Sequence, residues 1–304
     1  MTIYRYYILS IGLIASLLTA HAQTFIAKNT QVPMESSGMP AISPHNPKVA
    51  ESPFYVKVYG FYSLLTPGSQ RGVSTTPGAT TSITSFKTNT KGLGAGPRAG
   101  IGIGIIVNEF INIGLDADML FGDKLTTAST SKTSSSETRT TFSVVSIIPN
   151  ITFKALSRPG YFIYNRVGLI GGVVFDYKIN QNAVYMPNTV STTTTDYTTN
   201  YQENSLAIGY QVALGVQFRF SQGVRGFAEL VAYNQSFKPK ERLYLSVQTQ
   251  RGGNPISYKS LIEYNDEGDY TTSTRSDGTY VSQQPSTNVV MNSLGLSAGL
   301  LFRF

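Results

Sequence analysis

Catalysis and metal binding need nucleophiles, bases and ligands, and this chain holds few of them. It has no Cys and two His, His21 and His45. Thiolate metal sites, disulfides and cysteine nucleophiles are therefore excluded, and a histidine base is confined to the first 45 residues. Two late stretches, Asn265-Asp266-Glu267-Gly268-Asp269 and Ser276-Asp277-Gly278, gather oxygens. Their spacing does not match a calcium loop and reads as turn chemistry, so neither metal nor cofactor is expected. The run Gly94-Ala95-Gly96-Pro97-Arg98-Ala99 approximates a dinucleotide fingerprint. That motif must open a helix after a strand, whereas here an alternating pattern and Pro97 continue through it. What remains is a set of charges inside otherwise apolar segments: Lys57, Arg98, Asp116, Asp118, Arg166, Asp176, Arg219, Glu229 and Arg303, with Lys154 beside them. They make physical sense if one fold turns them toward one another.

The segments that carry them alternate with period two, the spacing that sends successive side chains to opposite faces of a strand. Over 93–105, Leu93, Ala95, Pro97, Ala99, Ile101, Ile103 and Ile105 share one face; glycines and Arg98 take the other. Residues 206–220 set Leu206, Ile208, Tyr210, Val212, Leu214, Val216, Phe218 and Phe220 against small and polar partners, and the last segment repeats the pattern to Phe304. Strands are expected near 54–64, 93–106, 110–121, 141–155, 161–177, 205–220, 226–238 and 288–304. The connections between them alternate strictly. Those at 107–109, 156–160 and 221–225 are tight, while those at 65–92, 122–140, 178–204 and 239–287 are long and rich in Thr, Ser and Asn. Short turns on one side and long loops on the other are the asymmetry of an outer-membrane barrel. The expected fold is all-β, a transmembrane antiparallel up-and-down barrel of eight strands, or ten if residues 242–286 add a pair. The inward glycines then make room for large inward side chains such as Tyr59 and Phe61. Phe54, Phe110, Phe153, Tyr161, Phe218, Phe302 and Phe304 would form one aromatic girdle, and Tyr62, Phe121, Phe175 and Tyr177 the other.

Before the first strand, Arg5, an apolar run from Tyr7 to Leu18 and Ala20-His21-Ala22 read as a secretory signal over 1–22. The run is too short to span a bilayer and no later segment supplies one, so no transmembrane helix is expected. Residues 23–52 read as a periplasmic tail and 53–304 as the barrel. The formal charge is +7. The basic residues are scattered without a dense stripe, which argues against nucleic acid and fits an anionic membrane surface.

The ending Leu300-Leu301-Phe302-Arg303-Phe304 resembles the signal by which barrel assembly machinery recognises outer-membrane proteins, with Leu300, Phe302 and Phe304 carrying it. Gly96-Pro97-Arg98-Ala99-Gly100-Ile101-Gly102 and Arg166-Val167-Gly168-Leu169-Ile170-Gly171-Gly172 are similar to the glycine-rich strands of small porin-family, outer-membrane-protein-A-like barrels of Gram-negative bacteria. The resemblance covers roughly residues 54–304 and is one of pattern. It implies an outer-membrane location, and the peptidoglycan-binding domain of some relatives is not expected after Phe304. Barrel enzymes of that membrane, such as lipid A deacylases and palmitoyl transferases, use a His that this barrel segment lacks, so no enzymatic activity is expected. An eight-stranded barrel is just wide enough to be filled by side chains, which makes the charged set a lumen network. The expected role is structural or surface-interacting, through the long loops; the alternative is a narrow, low-conductance porin. Lys87, Lys91, Lys124, Lys132 and Arg139 would contact lipopolysaccharide headgroups. Membrane lipid, the assembly machinery and an extracellular or membrane protein of unstated identity complete the expected partners.

Overall fold

A computed structural model of the chain describes residues 53–69, 72–77, 84–158, 160–186, 192–251 and 253–304. The expected signal segment 1–22, the tail 23–52 and both histidines lie outside them. No described helix is long and apolar enough to cross a membrane. The described elements are seventeen strands: β1 (Phe54–Leu65), β2 (Val73–Pro77), β3 (Thr84–Thr88), β4 (Pro97–Ile106), β5 (Ile111–Phe121), β6 (Leu125–Thr130), β7 (Ser134–Ser157), β8 (Tyr161–Tyr185), β9 (Thr193–Asn204), β10 (Ala207–Arg219), β11 (Val224–Phe237), β12 (Pro239–Gln250), β13 (Ile256–Asn265), β14 (Thr272–Thr274), β15 (Tyr280–Pro285), β16 (Val289–Val290) and β17 (Ser293–Arg303).

Eight of them close a ring. β1 pairs with β4, β4 with β5, β5 with β7, β7 with β8, β8 with β10, β10 with β11, β11 with β17, and β17 returns to β1, every pair antiparallel. Closure leaves no unpaired edge around the ring. Tight turns join these strands at one end, the turn end. The long connections all rise from the other, the loop end.

Those connections were expected as loops, apart from an alternating pair at Arg242–Gln250 and Ser257–Tyr264 read as a hairpin above the membrane or an extra strand pair; the structure gives all of them strands, and that pair is the β12–β13 hairpin. β7 and β8 run on past the ring as one long hairpin. Beyond the rim, β3, β2, β6, β7, β8, β9, β12, β13, β15 and β14 continue as an open sheet, with parallel contacts only between β2 and β6 and between β13 and β15. The segment 242–286 thus contributes strands to this extension and none to the ring. Much of the extension is part-exposed on both faces, which suits β-branched Thr rather than apolar alternation, while Leu261, Ile262 and Val281 are buried where β13 meets β15.

The ring is apolar outside, and its interior combines buried charges with apolar packing around Phe61, Ile148, Ile170 and Val231. Ile101, Leu169, Leu206, Ile208 and Leu214 are 57–68% exposed. The aromatics expected at the turn end, Phe54, Phe110, Phe153, Tyr161, Phe218 and Phe304, also face out, as do Tyr62, Phe121 and Phe175 near the other rim; Phe302 is half-buried. Tyr177 departs from its expected girdle position: it is 1% exposed and packs edge-on to Phe142 and Phe237 inside the ring.

One irregularity explains that reversal. Between β7 and β8 the register slips, from Ser143 opposite Phe175 to Thr141 opposite Lys178. Asp176 is the extra residue of a β-bulge, at φ 57, a left-handed conformation that Asp tolerates. The bulge inverts parity beyond it, turning Tyr177 inward and Asp176 outward. Leu93 and Ala95 are a second departure. β4 begins only at Pro97, and these two residues are buried in the segment that folds over the loop end of the ring. There Leu93 joins Leu120, Phe142, Val144, Tyr177, Phe237, Val289 and Met291 in an apolar cluster.

Candidate functional site

Beneath that apolar cap, six of the nine charges singled out in the sequence come together inside the ring. Lys57, Arg98, Asp116, Asp118, Arg166 and Glu229 are each no more than 5% exposed. Lys57 Nζ lies 2.7 Å from Asp116 Oδ2, and Arg166 Nη1 donates to the same oxygen. Arg166 then turns its Nε and Nη2 to the two oxygens of Glu229, a bidentate fork that Lys could not make. Tyr164 Oη donates to Glu229 Oε1 at 2.7 Å, and Gln211 Oε1 accepts from Arg166 at 3.3 Å. A second group stands closer to the loop end. Arg98 Nη1 meets Asp118 Oδ1 at 3.1 Å, while Tyr233 and Tyr59 donate to Asp118 Oδ2 at 3.0 and 3.4 Å. The other edge of the Arg98 guanidinium finds no acceptor. Its flat face instead lies 4.1 Å from the ring centre of Tyr233, a desolvated cation–π contact.

Three cations and three carboxylates make this network neutral, which is what allows it to be dry: an isolated buried charge would cost several kcal/mol, whereas paired ones are compensated.

Its construction repeats one device. Along the register, Lys57 faces Gly102 and Gly102 faces Asp116. Tyr59, Gly100 and Asp118 form a second such row, and Tyr164, Gly215 and Glu229 a third. In each, a side chain reaches over an inward glycine to the acid on the next strand but one. A Cβ on Gly102 would collide with Asp116 Oδ1 and approach Lys57 Cε to 2.7 Å; on Gly215 it would come within 2.6 Å of the Tyr164 ring. The sequence reading gave these glycines a steric role without seeing the acids they serve, and it omitted Tyr164, Tyr233 and Gln211. The signal was available in the parity of the same strands.

The space between Tyr55, Lys57, Asn112, Tyr164 and Arg166 is about 20 Å³, room for one water.

Three of the expected lumen charges lie elsewhere. Asp176, put outside by its bulge, pairs with Lys178 at 2.6 Å on the surface. Arg219 and Arg303 face inward by parity but stand at the turn-end mouth, exposed and half-buried respectively. Lys154 is half-buried there, its ammonium 5.3 Å from the Phe162 ring centre. The five loop cations do not form one belt. Lys91, bonded to Asp123 at 2.6 Å, and Lys124 sit at the rim. Arg139, paired with Glu137 at 3.2 Å, stands opposite Thr126; Lys132 is at the tip of the β6–β7 hairpin and Lys87 on β3. Leu300 faces outward on the last ring strand and Phe304 follows it at the turn end. Among the described residues no group of His, Cys, Asp and Glu could hold a metal ion.

No family model matches the chain, and no curated protein matches it. Among solved structures, Neisserial surface protein A is 12% identical over 83% of this chain and 98% of its own, with a TM-score of 0.33. The outer membrane protease OmpT from Escherichia coli is 9% identical over 83% and 94%, with a TM-score of 0.25. The toluene transporter TodX from P. putida is 8% identical over 84% and 90%, with a TM-score of 0.20. The architecture described above rests on the strand pairings themselves.

Proposed function

We propose that the chain is a non-enzymatic integral barrel of the bacterial outer membrane, with a closed lumen and a surface-contact or structural role carried by the sheet beyond the rim. The observation that carries this reading is a closed ring whose outer face is a continuous exposed apolar wall around a buried, neutral charge network. On β10 the outward row from Ile208 to Phe218 spans eleven residues; at the usual strand rise and tilt it stands about 25 Å tall, the height of a membrane barrel's apolar band. The tight turns then face the periplasm, and the ten-stranded extension projects from the cell.

Of the five loop cations, Lys91 and Lys124 stand at the level where lipopolysaccharide phosphates would lie, each adding about 1 kcal/mol of attraction at low salt. Replacing all five with Gln should lower lipopolysaccharide co-purification at low salt; unchanged recovery at low and high salt would remove that role. Leu300, Phe302 and Phe304 are proposed as the assembly signal.

Single-channel recording in planar bilayers tests the closed lumen. Little or no stable conductance is expected. Reproducible openings altered by Asp116→Asn or Arg98→Gln would replace this reading with a narrow porin.

A further inference from the structure

The two faces of the sheet beyond the rim differ in charge. Past the Asp176 bulge, the parity that turns Tyr177 into the ring carries Ile179 and Gln181 onto the face continuous with the lumen side. On β7 this face is the less exposed one: Ser136 and Thr138 are half-buried and Thr140 buried, whereas Ser135, Glu137 and Arg139 are exposed. The register extends it across the strands. One row runs Thr140, Ile179, Thr199, Tyr244, Ser260 and Tyr280, and the next, farther from the rim, runs Thr138, Gln181, Tyr197, Ser246 and Tyr258. No residue in either row is charged. Arg242 shares this face one row nearer the rim, its guanidinium 5.9 Å from the Tyr264 ring centre. On the other face of the same strands, Arg139 and Glu137 pair at 3.2 Å, Lys259 meets Asp277 at 3.3 Å, and Asp196 accepts from Asn182 at 2.6 Å.

Across four neighbouring strands the two uncharged rows form a checkerboard. β9, β12, β13 and β15 each contribute one tyrosine to them, Tyr197, Tyr244, Tyr258 and Tyr280 in turn, staggered between the rows; Thr199, Ser246 and Ser260 fill the alternate squares. A strand spacing of about 4.8 Å makes this tyrosine track roughly 14 Å long, running across the strands. Its first pair is in contact, the Tyr197 and Tyr244 ring centres lying 5.6 Å apart. Its far end is open, with Tyr258 and Tyr280 59% and 47% exposed.

Such a track suits a ligand that is itself uncharged, rich in hydroxyls and flat on its C–H faces. A tyrosine ring offers a negative face to C–H groups and loses little conformational freedom on contact. Serine and threonine hydroxyls between the rings both donate and accept, as sugar hydroxyls do. A charged partner would give up hydration here without meeting a counter-charge, which disfavours phosphorylated headgroups and also proteins, about a quarter of whose residues are charged. We infer that this face binds an uncharged carbohydrate chain laid across the strands. The inference rests on the surface-contact role proposed above and names its partner.

Calorimetric titration of the full chain in polyoxyethylene micelles, whose headgroups carry no sugar, tests it with cellohexaose, maltohexaose and mannohexaose, and with hexagalacturonate as the charged counterpart. Saturable binding of at least one neutral hexasaccharide, tighter than that of hexagalacturonate, is expected. Tyr258→Ala/Tyr280→Ala should weaken it at least about tenfold through loss of two stacking contacts. If that double variant does not fold, Tyr258→Ala alone should still weaken it. Lys259→Ala, on the opposite face of the same strand, should bind as the unaltered chain does. No saturable binding of any neutral hexasaccharide, equal or tighter binding of hexagalacturonate, unchanged affinity in the tyrosine variants, or lost binding in Lys259→Ala overturns the inference. So does a two-copy complex in micelles that the tyrosine variant dissociates, which would make this face a self-association surface. Micelle binding is read whichever side of a membrane the sheet faces. Its failure removes the ligand and leaves the barrel, whereas conductance through the lumen or water labelling of the ring wall counts against the barrel and leaves the measured binding standing.

Discussion

Asp116→Asn probes the lumen most sharply, because that carboxylate serves two cations at once. Its Oδ2 takes Lys57 at 2.7 Å and Arg166 as well, and its side chain is fully buried. Asn keeps the volume and one oxygen but removes the charge, so a neutral network gains one net positive charge. Arg166 retains its fork to Glu229. The loss falls on Lys57, whose side chain is 7% exposed and has no second carboxylate bonded to it. Removing one partner of a buried pair costs about 3–5 kcal/mol, because the remaining charge is left uncompensated. Replacing both partners is a different perturbation: Lys57→Met with Asp116→Leu leaves Arg166 and Glu229 neutral together and should recover most of the stability. Urea unfolding in lipid vesicles, followed by circular dichroism, measures all three proteins. A loss below about 1 kcal/mol for Asp116→Asn, the value of a solvent-exposed pair, would mean that water screens the network and would refute the dry lumen.

Leu214→Arg places a charge on the outer wall and should cost about 2–4 kcal/mol in the same vesicle unfolding assay if it lies near the midplane; normal insertion and stability would reverse the assignment of faces. Its inward neighbour behaves differently, since Gly215→Val drives atoms into Tyr164 and Glu229 and should lose about 1–3 kcal/mol by overpacking, with an unchanged urea midpoint counting against the row geometry. Asp176→Gly should be tolerated at φ 57, whereas Asp176→Val should cost about 1–2 kcal/mol of backbone strain; equal stability of the two would contradict the bulge. In the extension, the Thr279 N–H at 3.0 Å, and then Lys259, pull the Asp277 carboxyl down to about 2. A depressed value means its support of the loop is present above the ordinary carboxylate range and lost only as pH falls through about 2. An NMR titration of that side chain near pH 4, where free Asp titrates at about 3.9, would contradict the contact.

Period-two spacing carried much of this architecture in the sequence, because each ring strand buries one face and the pattern then fixes which residues point in. It failed where the backbone breaks the period. The single extra residue Asp176 inverted the assignment of Tyr177, and no local composition marks such a bulge apart from an Asp able to adopt a left-handed conformation. Leu93 and Ala95 kept the alternation but belong to a segment that folds over the ring, so their burial comes from tertiary packing. Thr193–Asn204 reads as loop because a strand half-exposed on both faces carries no apolar alternation. The acids under the inward glycines were each visible, but the rows joining Lys57 to Asp116 and Tyr164 to Glu229 exist only across strands.

The central claim, a dry lumen inside a lipid-facing wall, is tested most directly by hydroxyl-radical labelling of the protein in vesicles, which modifies side chains that water reaches. Tyr59, Tyr233 and Met291 are at most 7% exposed and should stay unmodified, while Tyr270 and Phe86 in the extension, 80% and 76% exposed, label rapidly. Ile101 and Leu169, more than 60% exposed on the isolated ring, should also stay unmodified because lipid covers them. Labelling of Tyr59 and Tyr233 at the rate of Tyr270 would contradict the closed lumen, and labelling of Ile101 and Leu169 would contradict the membrane-facing wall.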